Sequence, residues 1–572
     1  MAVTCRLQVS RTIVAVAMLY TPWVMAFAQD EVAFERPPVA PWIPTQRRLA
    51  GSGERCQSHI DRGAYRSIQV NVDKKGCNIV GDAANEPSIA VSVTDPRKIV
   101  IGWRQFNSVS SDFREAGWAY SHDGGHTWVF RGSLDPGVFG SDPVLAAGPD
   151  GEINYLTINE KTRLFKSFDG GITWPQRALV EAELLDKPWM AIDTTNGIGR
   201  GNIYIVCNCL RALWRSTDGG TSWTNFELPG GSGSRIGTIH VGPTGILYLV
   251  LASNPIGAGA WFSMSVDAKD PTVQPHWVVV NPDYAIKQQP LLVNWCGAGS
   301  CVSSVNGDGL PGQPWVVEVK SNGESTNNVH VLVPFGFSAT GTDPLDVIFV
   351  SSADGGITWD RPVVVNDDPP HCKALQWFAM MSVAPNGRID VVWNDTRNYL
   401  EGPNANQSEL YYASSNDGGS TWSTNVPVSP AFNTSIGMPA GQNKIGDYYH
   451  MVSDNLGVNV AYAATFNGEQ DIYFLRIGPW DCNGNEIDDA LDISEARSRD
   501  CNDNGVPDEC EYRADADGDG LTNLTDFAAF FGDLTGPGGA PKGPCSQLSD
   551  IDHDGDVDLH DYYLFTHVFT AP

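Results

Sequence analysis

Apolar positions along residues 85–479 recur as short paired runs separated by polar, glycine-rich breaks. The first run of each pair starts at a polar residue, often with proline: "NEPSIAVS" (85–92), "SDPVLAAG" (141–148), "DKPWMAID" (186–193) and "GQPWVVEV" (312–319). "RIGTIHVG" (235–242), "WFAMMSVA" (377–384) and "YYHMVSDN" (448–455) hold the same place in their units. A second strand follows each, as in "KIVIGWRQF" (98–106), "EINYLTINE" (152–160), "RIDVVWNDTR" (388–397) and "VNVAYAATF" (458–466). A third then leads into a polar turn, as in "ELYYASSNDGG" (409–419). Strand sets repeating at roughly 45–65 residues predict an all-β propeller, and the pattern divides into seven units. The last unit has a third strand, "DIYFLRI" (471–477), but no turn octamer after it. Its outer strand is expected from "YRSIQVNV" (65–72), which would close the ring.

The turns themselves repeat. "SHDGGHTW" (121–128), "SFDGGITW" (167–174), "STDGGTSW" (216–223), "SADGGITW" (352–359) and "SNDGGSTW" (415–422) are copies of one octamer, and "SVDAKDPT" (265–272) is a sixth that has lost both glycines. Ser and Asp can accept from nearby backbone N–H groups, Gly-Gly permits positive φ, and the Trp suits packing on a neighbouring unit. Five equivalent turns cannot all line one active site, so the octamer reads as scaffold. It resembles the Asp-box, or BNR, repeat of the sialidase superfamily. That resemblance implies a propeller whose Asp-boxes lie on the face away from the ligand. Sialidases have six blades, so the expected fold is a six- or seven-bladed propeller, with seven units counted here.

Charge changes the picture at the C-terminus. The net charge is −30, and from Asp481 onward 22 acidic residues face 4 basic ones. Nucleic acid is thereby excluded as an expected partner. The tail holds four loops of D-x-[DN]-x-[DN] type, whose hard oxygen ligands at this spacing select Ca²⁺. The candidate ligands are Asp481, Asn483, Asn485, Asp489 and Asp492; Asp500, Asn502, Asn504, Asp508 and Glu511; Asp515, Asp517, Asp519, Asn523 and Asp526; and Asp550, Asp552, Asp554, Asp558 and Asp561. Glu486 stands where the first loop should have glycine. The first two loops repeat with period 19 and resemble thrombospondin type 3-like calcium repeats. The last two, each followed by an apolar stretch, resemble a dockerin, and this implies short helices and a cohesin-like protein partner.

The N-terminus, "MAVTCRLQVSRTIVAVAMLYTPWVMAFAQD", reads as a secretory signal cleaved after Ala28. The expected destination is therefore secreted, extracellular or periplasmic, with no membrane span in the mature chain. Of 12 cysteines, Cys5 leaves with the signal, and Cys56/Cys77, Cys207/Cys209 and Cys296/Cys301 are near pairs able to form disulfides. The expected organisation is 1–28 signal peptide, 29–84 leader with the ring-closing strand, 85–479 propeller, 480–512 two calcium-loop repeats, and 513–572 the dockerin-like pair.

Strand parity sets the candidate chemistry on the face opposite the octamers. First strands bring Glu86, Asp142, Lys187, Gln313, Gln376 and Asp447-Tyr448 there; second-strand ends and the loops after them add Arg104, Asp112, Glu160, Asp395, Arg397 and Glu469. The sialidase resemblance implies an acid/base at Asp112, a tyrosine nucleophile at Tyr448 or Tyr449, and substrate-binding arginines at Arg104 and Arg397. The family's first arginine is replaced by Glu86, itself a candidate catalytic carboxylate, and "NKIGDYYH" lacks the arginine expected before the tyrosines. Three function classes follow: a glycoside hydrolase of sialidase type or of a neutral glycan, a non-catalytic propeller binding a glycan, glycoconjugate or protein and tethered by its calcium tail, or a structural exported protein whose calcium loops drive assembly. Trp103, Trp189, Trp377 and Trp393 are available for blade packing or sugar stacking.

Overall fold

The computed structural model describes residues 59–569, apart from 159–160, 182–184, 208–211, 229–233, 255–259, 281–301, 303, 322–323, 336–343, 370–372, 406, 512–513, 518–521, 541, 544 and 553. The segment read as a signal (1–28), Cys56, Glu160, Cys209, Cys296, Cys301 and Asp519 lie outside the described residues.

Seven antiparallel sheets form the blades of a propeller. Blade 1 comprises Ala83–Val91, Ile99–Phe106, Glu115–Ser121 and Val129–Ser133. Blade 2 comprises Ser141–Ala147, Ile153–Ile158, Thr162–Ser167 and Gln176–Glu181. Blade 3 runs from Trp189–Ile192 to Thr224–Glu227, and blade 4 from Ser234–Val241 to Val278–Val280. Blade 5 runs from Trp315–Ser321 to Val363–Val364, and blade 6 from Gln376–Val383 to Val426–Pro427. In each, strands follow chain order. Blade 7 departs from that order. Its strands His450–Ser453, Val458–Ala464 and Asp471–Ile477 are joined by Tyr65–Gln69, with Ser67 opposite Leu475 and Ile68 opposite Phe474. The N-terminal strand thus closes the ring. His59–Arg62 adds a fifth strand that the apolar pattern did not reveal, since Ile60 is its one apolar residue and none of the four is buried.

The second strands are buried end to end in blades 1, 2, 6 and 7, so both of their faces are packed against protein rather than water. Trp103, Trp214, Trp377 and Trp393 are among the largest fully buried side chains. Blade packing, not sugar stacking, accounts for them.

The five octamers fold into one turn. In the first, the Ser121 hydroxyl donates to Asp123 and accepts from Gly125 N–H, while Asp123 takes both N–H and hydroxyl of Thr127. The same bonds recur around Asp169, Asp218, Asp354 and Asp417. The second glycine is needed for contact as well as for φ: a Cβ on Gly125, Gly171, Gly220, Gly356 or Gly419 would collide with Phe474, Val100, Leu164, Phe262 or Phe349 of the preceding blade. The octamer tryptophans reinforce that seam, with Trp128 5.2 Å from Phe474, Trp359 4.9 Å from Phe262 and Trp422 5.1 Å from Phe349 between ring centroids. The sixth copy keeps the turn without glycine. Ser265 still bonds Asp267, and His276 N–H donates to Asp267 across an inserted stretch, so His276-Trp277 replaces the usual Thr-Trp.

The acidic tail carries three short helices, α1 (Asp489–Ser494), α2 (Leu524–Asp533) and α3 (Leu559–Val568). Phe530 of α2 and Phe565 of α3 pack together over Ala514 and Val557. Cys482–Cys510 and Cys501–Cys545 are disulfides, pairings that spacing did not suggest. Cys77 and Cys207 are also disulfide-bonded. Among the described residues no helix is long and apolar enough to cross a membrane.

Candidate functional site

Three first strands begin with the same irregularity. Glu86, Asp142 and Lys187 each precede a proline and each adopt positive φ, at 53°, 48° and 47°. In blades 1 and 2 the ladder slips there, between Asn85 and Ser88 and between Ser141 and Val144. A side chain in the left-handed region is strained, and a residue before proline is normally extended, so these bulges persist only where surrounding contacts hold them. Phe378 of blade 6 has the same distortion at φ 54° without a proline.

The bulges bring together a cluster of three carboxylates and three cations. Glu86 Oε1 lies 3.2 Å from Arg104 Nη2 and 3.5 Å from Lys444 Nζ. Lys444 Nζ donates to Asp447 Oδ2 at 2.5 Å, and Lys187 Nζ donates to the same oxygen. Asp142 accepts from Lys187 N at 2.9 Å and from the Ser141 hydroxyl at 2.8 Å. Arg104 Nε donates to Asn85 Oδ1 at 2.8 Å. Glu86, Asp142, Arg104 and Asp447 are at most 1% exposed, while the side chains of Lys187 and Lys444 keep 14% and 13%.

A segment from a distant part of the chain bonds to the residues around Asp447. Asn306 donates to Gly446 O and accepts from Ile445 N–H, and Leu310 N–H donates to Asp447 Oδ1. Ala440 N–H donates to Val109 O, tying the approach to blade 7 onto the loop that carries Asp112.

Burial pushes the Glu86 carboxyl up to about 7 against the pull of Arg104 and Lys444. Burial also acts to raise Asp447, but Lys187 and Lys444 outweigh it and hold that group well below the usual range. Burial pushes the Tyr448 phenol well up, and Glu86 and Asp142 push it further. Its hydroxyl donates to Pro143 O at 2.9 Å, and that of Tyr449 to Ala463 O at 2.7 Å. Both phenols are thus spent on backbone carbonyls.

Of the residues expected from sequence, Glu86 and Arg104 meet, with Tyr448 beside them. Asp112 is half-buried near Gly441, and its carbonyl accepts from Arg114 Nη1 at 3.1 Å. Arg397 belongs elsewhere. It donates to Asp395 Oδ2 at 2.9 Å and to Asp367 Oδ1 at 2.6 Å, and lies 4.4 Å over the Tyr411 ring. Lys444 was missed. The signal for it was a lysine in "NKIGDYYH", in the segment where the resemblance calls for an arginine.

The tail loops converge in two matched pairs. In the first pair, Asn483 and Asn485 point their side-chain amides at Asp492, and Asn502 and Asn504 point theirs at Glu511. Asp481 and Asp500 accept from N–H groups inside their own loops. The Asp489 and Asp508 carboxylates take the N–H groups of Cys482 and Cys501. In the second pair, Asp526 accepts from Ala516, Asp517 and Asn523 N–H, as Asp561 does from Ile551, Asp552 and Asp558. Asp515, Asp517 and Asp526 form one carboxylate cluster, and Asp550, Asp552 and Asp561 another.

No protein-family model matches the chain, and no curated protein matches it. Solved structures do resemble it. YCF48 bound to D1 peptide is 13% identical with a TM-score of 0.39, over 74% of this chain and 97% of that one. The Hadza microbial sialidase Hz136 is 16% identical with a TM-score of 0.34, over 69% of this chain and 65% of that one. The Trypanosoma rangeli sialidase in complex with the inhibitor DANA is 13% identical with a TM-score of 0.32, over 75% and 60%.

Proposed function

We propose that this chain is an exported, calcium-binding propeller with sialidase-type Asp-boxes, which recognises a glycan or protein ligand without cleaving it. The observation that carries this reading is the closed charge balance at the bulged strand ends. Arg104, Lys187 and Lys444 face Glu86, Asp142 and Asp447, with the segment around Asn306 bonded beside Asp447. An arginine cluster that grips a substrate carboxylate needs unspent donors, and a tyrosine nucleophile needs a free hydroxyl. The tyrosine hydroxyls fail the second condition, and each of the three cations already faces a carboxylate of the cluster, so we assign ligand recognition to the outer surfaces of the propeller.

Calcium binding is part of the same reading. Asp481, Asn483, Asn485 and Asp492 would hold one ion, and Asp500, Asn502, Asn504 and Glu511 another. Asp515, Asp517, Asp519, Asn523 and Asp526, with Asp550, Asp552, Asp554, Asp558 and Asp561, would hold two more. The donor set is all oxygen, and Glu511 Oε2 is buried with no hydrogen-bond partner, which suits a hard cation. Asp489 and Asp508, committed to backbone N–H groups, would serve only through water. Export is supported by the N-terminal signal and by tail disulfides, which persist in oxidising compartments. A cohesin-like partner for the α2–α3 pair remains the proposed use of that unit.

A second reading is favoured by one feature. Glu86, held at about 7 beside a lysine that reaches solvent, has the poise of a general acid/base for a glycoside hydrolase. Sugar release from a fluorogenic sialoside and from neutral glycosides, by the full chain with calcium, separates the two. The expected result is no release with either substrate class. Release abolished in both Glu86→Gln and Asp112→Asn would replace the binding reading with the hydrolase.

A further inference from the structure

Glu486 occupies the sixth position of the 481–492 loop, where the sharp turn calls for glycine, yet its φ is 65°. Gly505 fills the equivalent place in the next loop at φ 84°. A side chain in that region is disfavoured unless something holds it. What holds Glu486 is the propeller: Asn455 Nδ2, between the first two strands of blade 7, donates to Glu486 Oε1 at 2.5 Å. Asn455 is also tied to blade 6, accepting from Asn386 N–H at 2.9 Å and from Arg388 Nη1 at 2.8 Å.

The second loop reaches the opposite side of the ring seam. Arg97 of blade 1 donates through Nη1 to Glu509 O at 2.6 Å, with its guanidinium fixed by Asp95 at 2.8 and 2.9 Å. The Arg97 carbonyl accepts from Gly124 N–H at 3.0 Å, inside the first octamer. Between the two contacts, Trp480 stacks on His126 at 3.9 Å, and its carbonyl accepts from Asp489 N–H at 2.9 Å, the first residue of α1. The loops are joined to each other by Cys482–Cys510 and by Asn483 Nδ2 donating to Glu509 at 3.2 Å.

We infer that residues 481–511 form a clasp across blades 6, 7 and 1, so that calcium in these two loops stabilises closure of the propeller ring. The inference rests on the calcium reading of those loops. Without a cation their acidic ligands repel one another; a bound cation draws the first and twelfth positions together. Glu486 and Glu509 lie between those positions, so ordering of each loop is passed to Asn455 and Arg97. Binding to the folded form alone then raises the stability of the whole closed ring.

Tryptophan emission reports the propeller separately, because residues 481–572 contain no tryptophan. Thermal melts of the full chain in calcium and in chelator are compared with calcium stoichiometry from isothermal titration. The wild type is expected to gain about 5 °C or more with calcium. Glu486→Gly combined with Arg97→Ala should bind calcium with the same stoichiometry yet lose more than half of that gain. Glu486→Gln, which keeps an oxygen for Asn455, should retain most of it. Calcium uptake without any shift in the wild type, or an undiminished shift in the double variant, would overturn the clasp while sparing the calcium reading. Absence of calcium uptake by the wild type would overturn both.

Discussion

The propeller and the acidic tail hold short segments together by different means. In the propeller, one continuous apolar cluster runs through all seven blades, and five octamer turns lock five of the blades onto their predecessors. In the tail, the apolar cluster consists of Ala514, Phe530, Val557 and Phe565 with a few half-buried neighbours. Two disulfides and a set of converging carboxylates do the remaining work. A small unit that cannot bury enough apolar surface needs covalent or metal staples, whereas a large ring does not. The difference teaches where each region should break.

The largest effect should come from the propeller core. Trp103 is fully buried and its indole N–H donates to Gln105 at 2.7 Å, so Trp103→Ala should cost about 3–5 kcal/mol. Chemical denaturation followed by tryptophan emission measures this, and calcium uptake by the α2–α3 pair should be unchanged. Loss of uptake would mean that the two regions unfold as one.

Removing a staple should act on the tail. Replacing Cys482 and Cys510 by serine opens a link of sequence separation 28, at an expected cost of about 2–4 kcal/mol. Limited proteolysis should then cut within residues 481–569 first, with a smaller fall in the tryptophan-emission midpoint than Trp103→Ala gives. Equal falls would erase the contrast between the regions.

The smallest effect is a pH dependence of the octamers. The Thr421 hydroxyl and N–H hold the Asp417 carboxyl at about 2, below its ordinary 3.8. A depressed folded value means stabilisation that is complete above pH 3.8 and is lost as pH falls toward 2. Asp417→Asn should therefore lower the melting temperature at pH 7 and converge with the wild type near pH 2. A difference that persists at low pH would mean the turn is held by its backbone geometry alone.

Much of this architecture was legible because it is local. The paired apolar runs, the octamers and the calcium-type loops each state their conformation within about a dozen residues, through alternation, glycine placement and carboxylate spacing. Even the ring-closing strand could be inferred, since "DIYFLRI" has no following octamer and "YRSIQVNV" has no other partner. The sixth octamer was half-read, because an insertion separates Asp267 from the histidine that completes it. Arg397 looked like part of a central site, but the acids that hold it, Asp367 and Asp395, come from two different blades.

By itself, then, the sequence determined the all-β class, the seven repeating units, the structural role of the octamers and the carboxylate spacing of the tail. Tertiary structure alone decided that Lys187 and Lys444 meet on Asp447, that the segment around Asn306 bonds beside it, and that Glu486 and Arg97 join the tail to the ring. The reason is physical. Turn and strand preferences are set by a residue and its near neighbours. A buried charge is satisfied by whichever partner the closed ring brings within about 3 Å, and sequence separation does not limit which partner that is.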